Sequence, residues 1–133
     1  MAGSLELFGY GGQVNTVRPG ATAVAQRDAV MKADFHTIWT DEADDAANLT
    51  WVRDFYRDVY QDTGGVPVSG RNCDGSYINY PDTDLADPAW NTSGVPWTTL
   101  YYKDNYPRLQ RVKARWDPRN VFHHALAVQL PGR

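Results

Sequence analysis

Tyr77-Ile78-Asn79-Tyr80 is the stretch of this chain richest in reactive side chains, with two phenols bracketing a carboxamide. A phenol donates or accepts a hydrogen bond and, once ionised, takes a proton. Its ordinary pKa near 10 makes it a poor base unless a cation or a network of donors stabilises the charge. Pro81 keeps Tyr80 out of the helical region. The stretch therefore reads as a short extended segment, with Tyr77 and Asn79 on one side and Ile78 and Tyr80 on the other. Tyr101, Tyr102 and Tyr106 form a second group farther along the chain. From residue chemistry alone, a packed aromatic patch is the favoured reading of these tyrosines and a catalytic group the second.

Other reactive side chains carry weaker signals. His123 and His124 are adjacent, so they do not converge easily on one ion, and His36 is remote. Asp82 and Asp84 could touch a cation, but no third ligand is fixed, and no metal site is expected. Their spacing does not set the separation that a glycosidase carboxylate pair needs. Cys73, the single cysteine, sits in a polar loop and reads as an incidental free thiol. No Ser/His/acid arrangement stands out. Gly9-Tyr10-Gly11-Gly12 lacks both the spacing and the following helix of a dinucleotide fingerprint. Asn48-Leu49-Thr50 and Asn91-Thr92-Ser93 match glycosylation acceptors and are read as chance matches.

The elements that must position these groups are short. Leu5, Leu7 and Phe8, then Val14 and Val17, read as two strands around a glycine-rich bend, and residues 22–25 as a third extended piece. Residues 30–39 alternate, with Met31, Ala33, Phe35, Thr37 and Trp39 opposite Lys32, Asp34, His36 and Ile38, which predicts a strand with one buried face. The period then changes. Asp41 caps a helix over about residues 43–61, whose stripe is Leu49, Val52, Phe55, Tyr56 and Val59, and Gly64-Gly65 ends it. Residues 63–76 and 81–96 read as irregular. Two helical pieces, 97–103 and 106–116, flank a break next to Pro107, with Tyr106, Leu109, Val112 and Trp116 on one face. After Asp117-Pro118 an apolar tail must dock on something.

The chain has 133 residues, 42% of them hydrophobic, and a net charge of −3. That is one domain, or a piece of a larger one, with ample material for a core and no basic surface for nucleic acid. No apolar run approaches the roughly 20 residues that cross a bilayer. The opening residues lack a secretory signal, so a cytoplasmic location is the expectation. Eight tyrosines and five tryptophans are a heavy load of large, half-polar side chains. Such residues line planar-ligand pockets as readily as cores.

YINYPDTDL, residues 77–85, together with LYYKDNYPRLQRVKARWDPRNVFHHALAV, residues 100–128, strongly resembles the carboxy-terminal segment of the berberine-bridge-enzyme-like family of FAD-linked oxidoreductases. GYGGQVNTV, ATAVAQRD and WTDEADDAANLTWVRDFY resemble the preceding part of that family's substrate domain. The resemblance covers nearly the whole chain. It divides the chain into a partial substrate-binding domain, residues 1–76, and the family's carboxy-terminal segment, residues 77–133. In the family an amino-terminal domain makes most FAD contacts and carries the histidine that bonds to the flavin. That region is not matched here, so the chain resembles the last quarter or third of such an enzyme.

The resemblance implies FAD as cofactor and Tyr80 as the catalytic base, with Tyr77 and Asn79 contacting the flavin. It implies an α+β segment: a partial antiparallel sheet covered by helices, and a tail that docks on an FAD-binding domain in the same or a separate chain. The implied reaction is oxidation of a hydroxyl-bearing sugar or secondary metabolite by hydride transfer to flavin, with oxygen as acceptor and little activity in this chain alone. The alternative is a non-catalytic binding or interaction module derived from such an enzyme. Homo-oligomerisation would be another way to cover the exposed surface, and neither nucleic acid nor membrane is expected as a partner. One departure is plain: Lys103 stands where the family pattern usually has glycine.

Overall fold

A computed structural model describes residues 2–132. Two strands, β1 (Ala2–Gly9) and β2 (Met31–Ile38), pair antiparallel from Ala2 opposite Ile38 to Gly9 opposite Met31. The ladder is extended by the Tyr10 N–H, which donates to Val30 O at 2.8 Å. The long connection between the strands is irregular, so the expected strands at 14–17 and 22–25 do not form. A 3-10 turn occupies Gly12–Thr16. Side chains take the backbone groups that a ladder would need: Asn15 donates to Ala29 O at 3.1 Å, and Arg27 donates to Val14 O and Val24 O at 3.3 and 3.2 Å.

The pairing register divides the hairpin into two faces. Gly3, Leu5 and Leu7 share one with Thr37, Phe35 and Ala33, while Ser4, Glu6 and Phe8 share the other with His36, Asp34 and Lys32. Helix α1 (Asp45–Val59) lies on the first. Phe35 meets the rings of Phe55, Tyr56 and Tyr60 at centroid distances of 5.4, 5.0 and 6.0 Å. Gly3 is what allows this approach, since a Cβ there would fall 2.1 Å from Cζ3 of Trp51. Asp41 caps not α1 itself but the 3-10 turn Glu42–Asp44 that leads into it, accepting from the Ala43 N–H at 2.9 Å.

The covered stripe of α1 is rotated from the one expected. Asn48 is buried, Trp51, Val52, Phe55 and Tyr56 are half-buried, and Leu49 and Val59 are exposed. The spacing remains helical, but a polar residue takes a central place because its bonds are met. Asn48 donates to Asp44 O at 2.9 Å and accepts from the Thr37 hydroxyl at 2.9 Å.

The dry core lies elsewhere. Val66, Leu85, Leu100, Tyr101, Tyr102 and Leu126 cluster with Ile78, Val95, Trp97, Leu109 and Val128 around them. Helix α2 (Trp97–Tyr102) is its centre, and α3 (Tyr106–Trp116) follows after a 3-10 turn, Lys103–Asn105, at the expected break. On α3, Val112 and Trp116 are exposed. The tail does not wait wholly for another body. Leu126 and Ala127 are buried within this chain, while Val121 and Phe122 stay exposed. Asp117 straps the tail to α3 by accepting from the Val121 and Phe122 amides at 2.7 and 3.0 Å and pairing with Lys113. Among the described residues, no helix is long and apolar enough to cross a membrane.

Candidate active site

Between the hairpin, α1 and the loops of residues 65–85 lies an open cleft of about 1070 Å³. Tyr77, Asn79 and Tyr80 line it together with Lys32, Tyr56, Tyr60, Cys73, Arg53 and Trp90. The three residues singled out by their chemistry are thus brought together, but not as an extended segment. Tyr80 N–H donates back to Tyr77 O at 3.0 Å, closing a turn over residues 77–80. Strand alternation therefore does not apply. Tyr77 and Tyr80 face one another with ring centroids 6.2 Å apart, and the Asn79 amide donates to the Tyr77 hydroxyl at 2.8 Å. Ile78 packs against the core instead.

The turn is anchored from below. Tyr101, 1% exposed, accepts from the Asp82 N–H at 2.9 Å through its phenol oxygen, just past Pro81. Ile78 and Tyr101 belong to the same packed region, so the fully buried core fixes the base of the turn while Tyr80 remains 60% exposed above it.

Lys32 supplies the charge that residue types alone did not point to. Its ammonium sits 5.1 Å from the Tyr77 ring centroid and 5.9 Å from that of Tyr80. Both distances are within cation–π range. Alternation had placed Lys32 on the face of β2 away from Phe35, but nothing in the sequence showed that the Tyr77–Tyr80 turn would come beneath it.

Several other cleft groups are held in neutral or paired forms. Burial first, with nearby phenols and carboxylate second, pushes the Tyr56 hydroxyl well above its ordinary range, and burial pushes Tyr60 up to about 12. Neither suits a base near neutral pH. Cys73 is half-buried, and burial pushes its thiol up as well, which keeps it a thiol. Asp84 is bidentate with Arg53 at 2.6 and 3.0 Å, and Asp82 accepts from the Asp84 N–H at 3.0 Å. His36 shares a sheet face with Lys32 but lies outside the cleft, 3.3 Å from Glu6 and 3.1 Å from the Ser4 hydroxyl, and His123 and His124 lie on the exposed tail. Among the described residues, no three His, Cys, Asp or Glu side chains converge as a metal site.

The tyrosines thus separate by environment. Tyr101, Tyr102 and Tyr106 belong to the core and its rim, with Trp97 and Tyr106 at 6.0 Å and Tyr102 and Tyr106 at 5.8 Å. Tyr77 and Tyr80 face solvent and cleft. Two phenols and a carboxamide beside an open slot suit the polar edge of a planar heterocycle. The Tyr77–Tyr80 segment is a turn and not a helix N-terminus, so it offers an aromatic and polar edge and not a phosphate cradle.

The berberine and berberine like family matches residues 76–129. The chain is 59% identical over 130 residues to the aclacinomycin-N/aclacinomycin-A oxidase of Streptomyces galilaeus, aligning 98% of this chain with 24% of that protein. It is 40% identical over 131 residues to the hexose oxidase of Chondrus crispus, covering 93% of this chain and 24% of that one. The crystal structure of a glycopeptide hexose oxidase complexed with teicoplanin superposes with a TM-score of 0.92 at 61% identity, over 96% of this chain and 26% of that chain. The chain spans about a quarter of the length of these relatives. In sequence along nearly its whole length, and in fold, the chain matches the berberine-bridge-enzyme-like family of FAD-linked oxidoreductases, as a carboxy-terminal, substrate-domain segment.

Proposed function

We propose that this chain forms the substrate-side wall of an FAD-dependent oxidase that converts a hydroxyl-bearing carbon of a sugar or glycosylated secondary metabolite to a carbonyl, with oxygen as final acceptor. In this reading it works with an FAD-binding domain on the same or a separate chain. The observation that carries the proposal is Tyr80: solvent-facing, at the mouth of the cleft, with the Lys32 ammonium 5.9 Å from its ring. The sugar class is supported by the hexose oxidases among the relatives.

When bound, the flavin supplies the hydride acceptor. The chain's own residues do the rest. The cleft holds the substrate so that its hydroxyl reaches the Tyr80 oxygen, which takes the proton as the carbonyl forms. The phenol oxygen is the proton acceptor of this step, and Lys32 is a cation that the structure places beside the two rings. Tyr77 and Asn79, tied to one another, present a fixed polar edge to the planar cofactor. Tyr101 keeps the turn from sagging away from Lys32 through its bond to the Asp82 amide.

The test is Tyr80→Phe in the complete flavin-loaded enzyme. The expected outcome is unchanged flavin content and a rate of flavin reduction lowered by at least about a hundredfold, at the foot of the general-base range. Anaerobic stopped-flow reduction measures it. A variant reduced within a factor of about three of the parent would remove Tyr80 from this role and leave a packing residue at the cleft rim.

A further inference from the structure

We propose that Lys103 and Asp74 are positioning residues. Their ion pair fixes the loop leading into the Tyr77–Tyr80 turn on the end of α2, in the place from which Asp74 also holds the segment leading into β2, and so sets where Lys32 stands over the two tyrosine rings. The proposal rests on the reading of Tyr80 and Lys32 given above.

The starting point is a strained residue. Lys103 closes α2 with φ 49° and ψ −132°, a backbone region that glycine enters freely and a side chain with a Cβ does not. Such a residue persists only where its surroundings over-determine it. Glycine would meet the backbone requirement without strain, so what lysine adds is its side chain. The Lys103 ammonium pairs with Asp74, and the two side chains are 23% and 11% exposed. An ion pair so covered is screened far less than one in open water.

Asp74 joins three segments. Its Oδ1 faces Lys103 at the end of α2, and its Oδ2 accepts the Asp28 N–H at 2.8 Å. Tyr77 follows Asp74 three residues on, and Lys32 follows Asp28 four residues on. Neighbouring contacts give the clamp a rigid floor. Ser76 N–H donates to Leu100 O at 2.9 Å, and the buried Gln26 amide donates to Tyr101 O at 3.0 Å. Gly75 passes so close to α2 that a Cβ would lie 2.5 Å from Leu100 O, so loop and helix meet backbone to backbone. With α2 as the fixed body, the Lys103–Asp74–Asp28 chain is the connection that ties the cation-bearing strand directly to the loop carrying the tyrosine turn.

The experiment uses the 133-residue chain and reads the contact itself. Protons on the carbon bearing the Lys32 ammonium, held near two aromatic rings, shift upfield in a proton–carbon correlation spectrum. Lys103→Gly removes the charge while relieving the backbone, Lys103→Arg keeps the charge, and Asp74→Asn cuts the pair from the other side. Lys103→Gly and Asp74→Asn are expected to lose most of the upfield shift, and Lys103→Arg to retain it. The double variant Lys103→Gly/Asp74→Asn should lose no more than either single change. Full retention of the shift in folded Lys103→Gly, or its absence in the parent chain, would overturn the clamp. Should Asp74→Asn fail to fold, Lys103→Gly still decides. In the complete enzyme the charge-cutting variants should slow flavin reduction by about tenfold to a hundredfold, as displaced reacting groups do. A lost NMR shift with an unaffected Tyr80→Phe enzyme would sink the catalytic reading and leave the clamp standing.

Discussion

Around α2, Leu85, Leu100, Tyr101, Leu126 and Val66 are each 1% exposed, whereas on and beside the hairpin Leu7, Met31, Val30 and Ile38 are 58%, 54%, 69% and 69% exposed. The first region closes on itself, because α2, the segments carrying Val66 and Leu85, and the tail each contribute side chains to one cluster. The second has two strands and one covering helix, with a ladder along one edge of each strand and no third strand among the described residues to pair the other. A two-stranded sheet is marginal on its own, and open edges invite a partner. The contrast teaches where rigidity comes from. Tyr77 and Tyr80 ride on the closed region and Lys32 on the open one, so the candidate site exists only while the two are held together.

Beyond the loss of rate expected at Tyr80, the largest effect that separates the regions is on stability. Leu126→Ala should cost about 2–5 kcal/mol, the range for emptying a packed leucine site, while Leu7→Ala should stay within about 1 kcal/mol. Urea unfolding of both variants measures the difference, and equal costs would erase the distinction between core and hairpin.

Tyr101→Phe sharpens the link between the core and the site. It strands the Asp82 amide, at an expected cost of about 1–3 kcal/mol. Unlike Leu126→Ala, it should also change amide exchange across residues 77–82. A loss of stability without that local change would place the turn's support elsewhere. Asn79→Ala should leave stability nearly untouched and alter flavin content or spectrum in the complete enzyme, separating cofactor placement from proton transfer.

The pH predictions are smaller. The folded chain keeps Tyr56 and Tyr60 protonated above their ordinary pKa of 10.0, through burial. The unfolded chain releases those protons first, so this contribution is complete below about pH 10 and is lost as the pH climbs toward about 12, the folded value of Tyr60. A spectrophotometric phenol titration should show these tyrosines ionising late and together with unfolding. At the acid end the sign reverses. Asp117 is held below its ordinary value by Lys113 and by the Val121 and Phe122 amides. Its support for the tail is therefore present above the usual carboxylate range and fades as the pH falls through its folded value. Faster exchange of the Val121 and Phe122 amides in acid, before global unfolding, is the expected sign. Equal protection down to global unfolding would mean that Leu126 alone holds the tail.

The helices were legible because each carries its signals locally. Asp41 before α1, Gly64-Gly65 after it and Pro107 at the start of α3 act on the backbone within a turn of themselves, and the boundaries followed. The alternation of residues 30–39 marked β2 and which side chains share a face, but the expected buried face is only half realised: Phe35 and Thr37 are half-buried while Met31 and Ala33 are exposed, because α1 covers only that part of the strand. The strands expected at 14–17 and 22–25 failed because Arg27, outside both segments, claims Val14 O and Val24 O, while Asn15 within the first is turned to Ala29 O. The α1 stripe was misplaced by one residue because Asn48 looks polar in sequence and is buried only by virtue of Thr37, on another element.

Residue types alone drew attention to Tyr77, Asn79 and Tyr80 but favoured a packed patch, the family resemblance supplied their expected roles, and the local pattern established the helices that surround them. Whether those three side chains meet was a tertiary decision. The extended reading put Asn79 and Tyr80 on opposite sides, and the turn closed by Tyr80 on Tyr77, over a core that anchors Ile78 and Tyr101, put them on one. Lys32 joins them from a strand forty-five residues earlier than Tyr77. A cation–π contact has no local signature, since it depends on how the hairpin is carried by α1 and by Asp74, and that placement is the sum of contacts between segments remote in the chain.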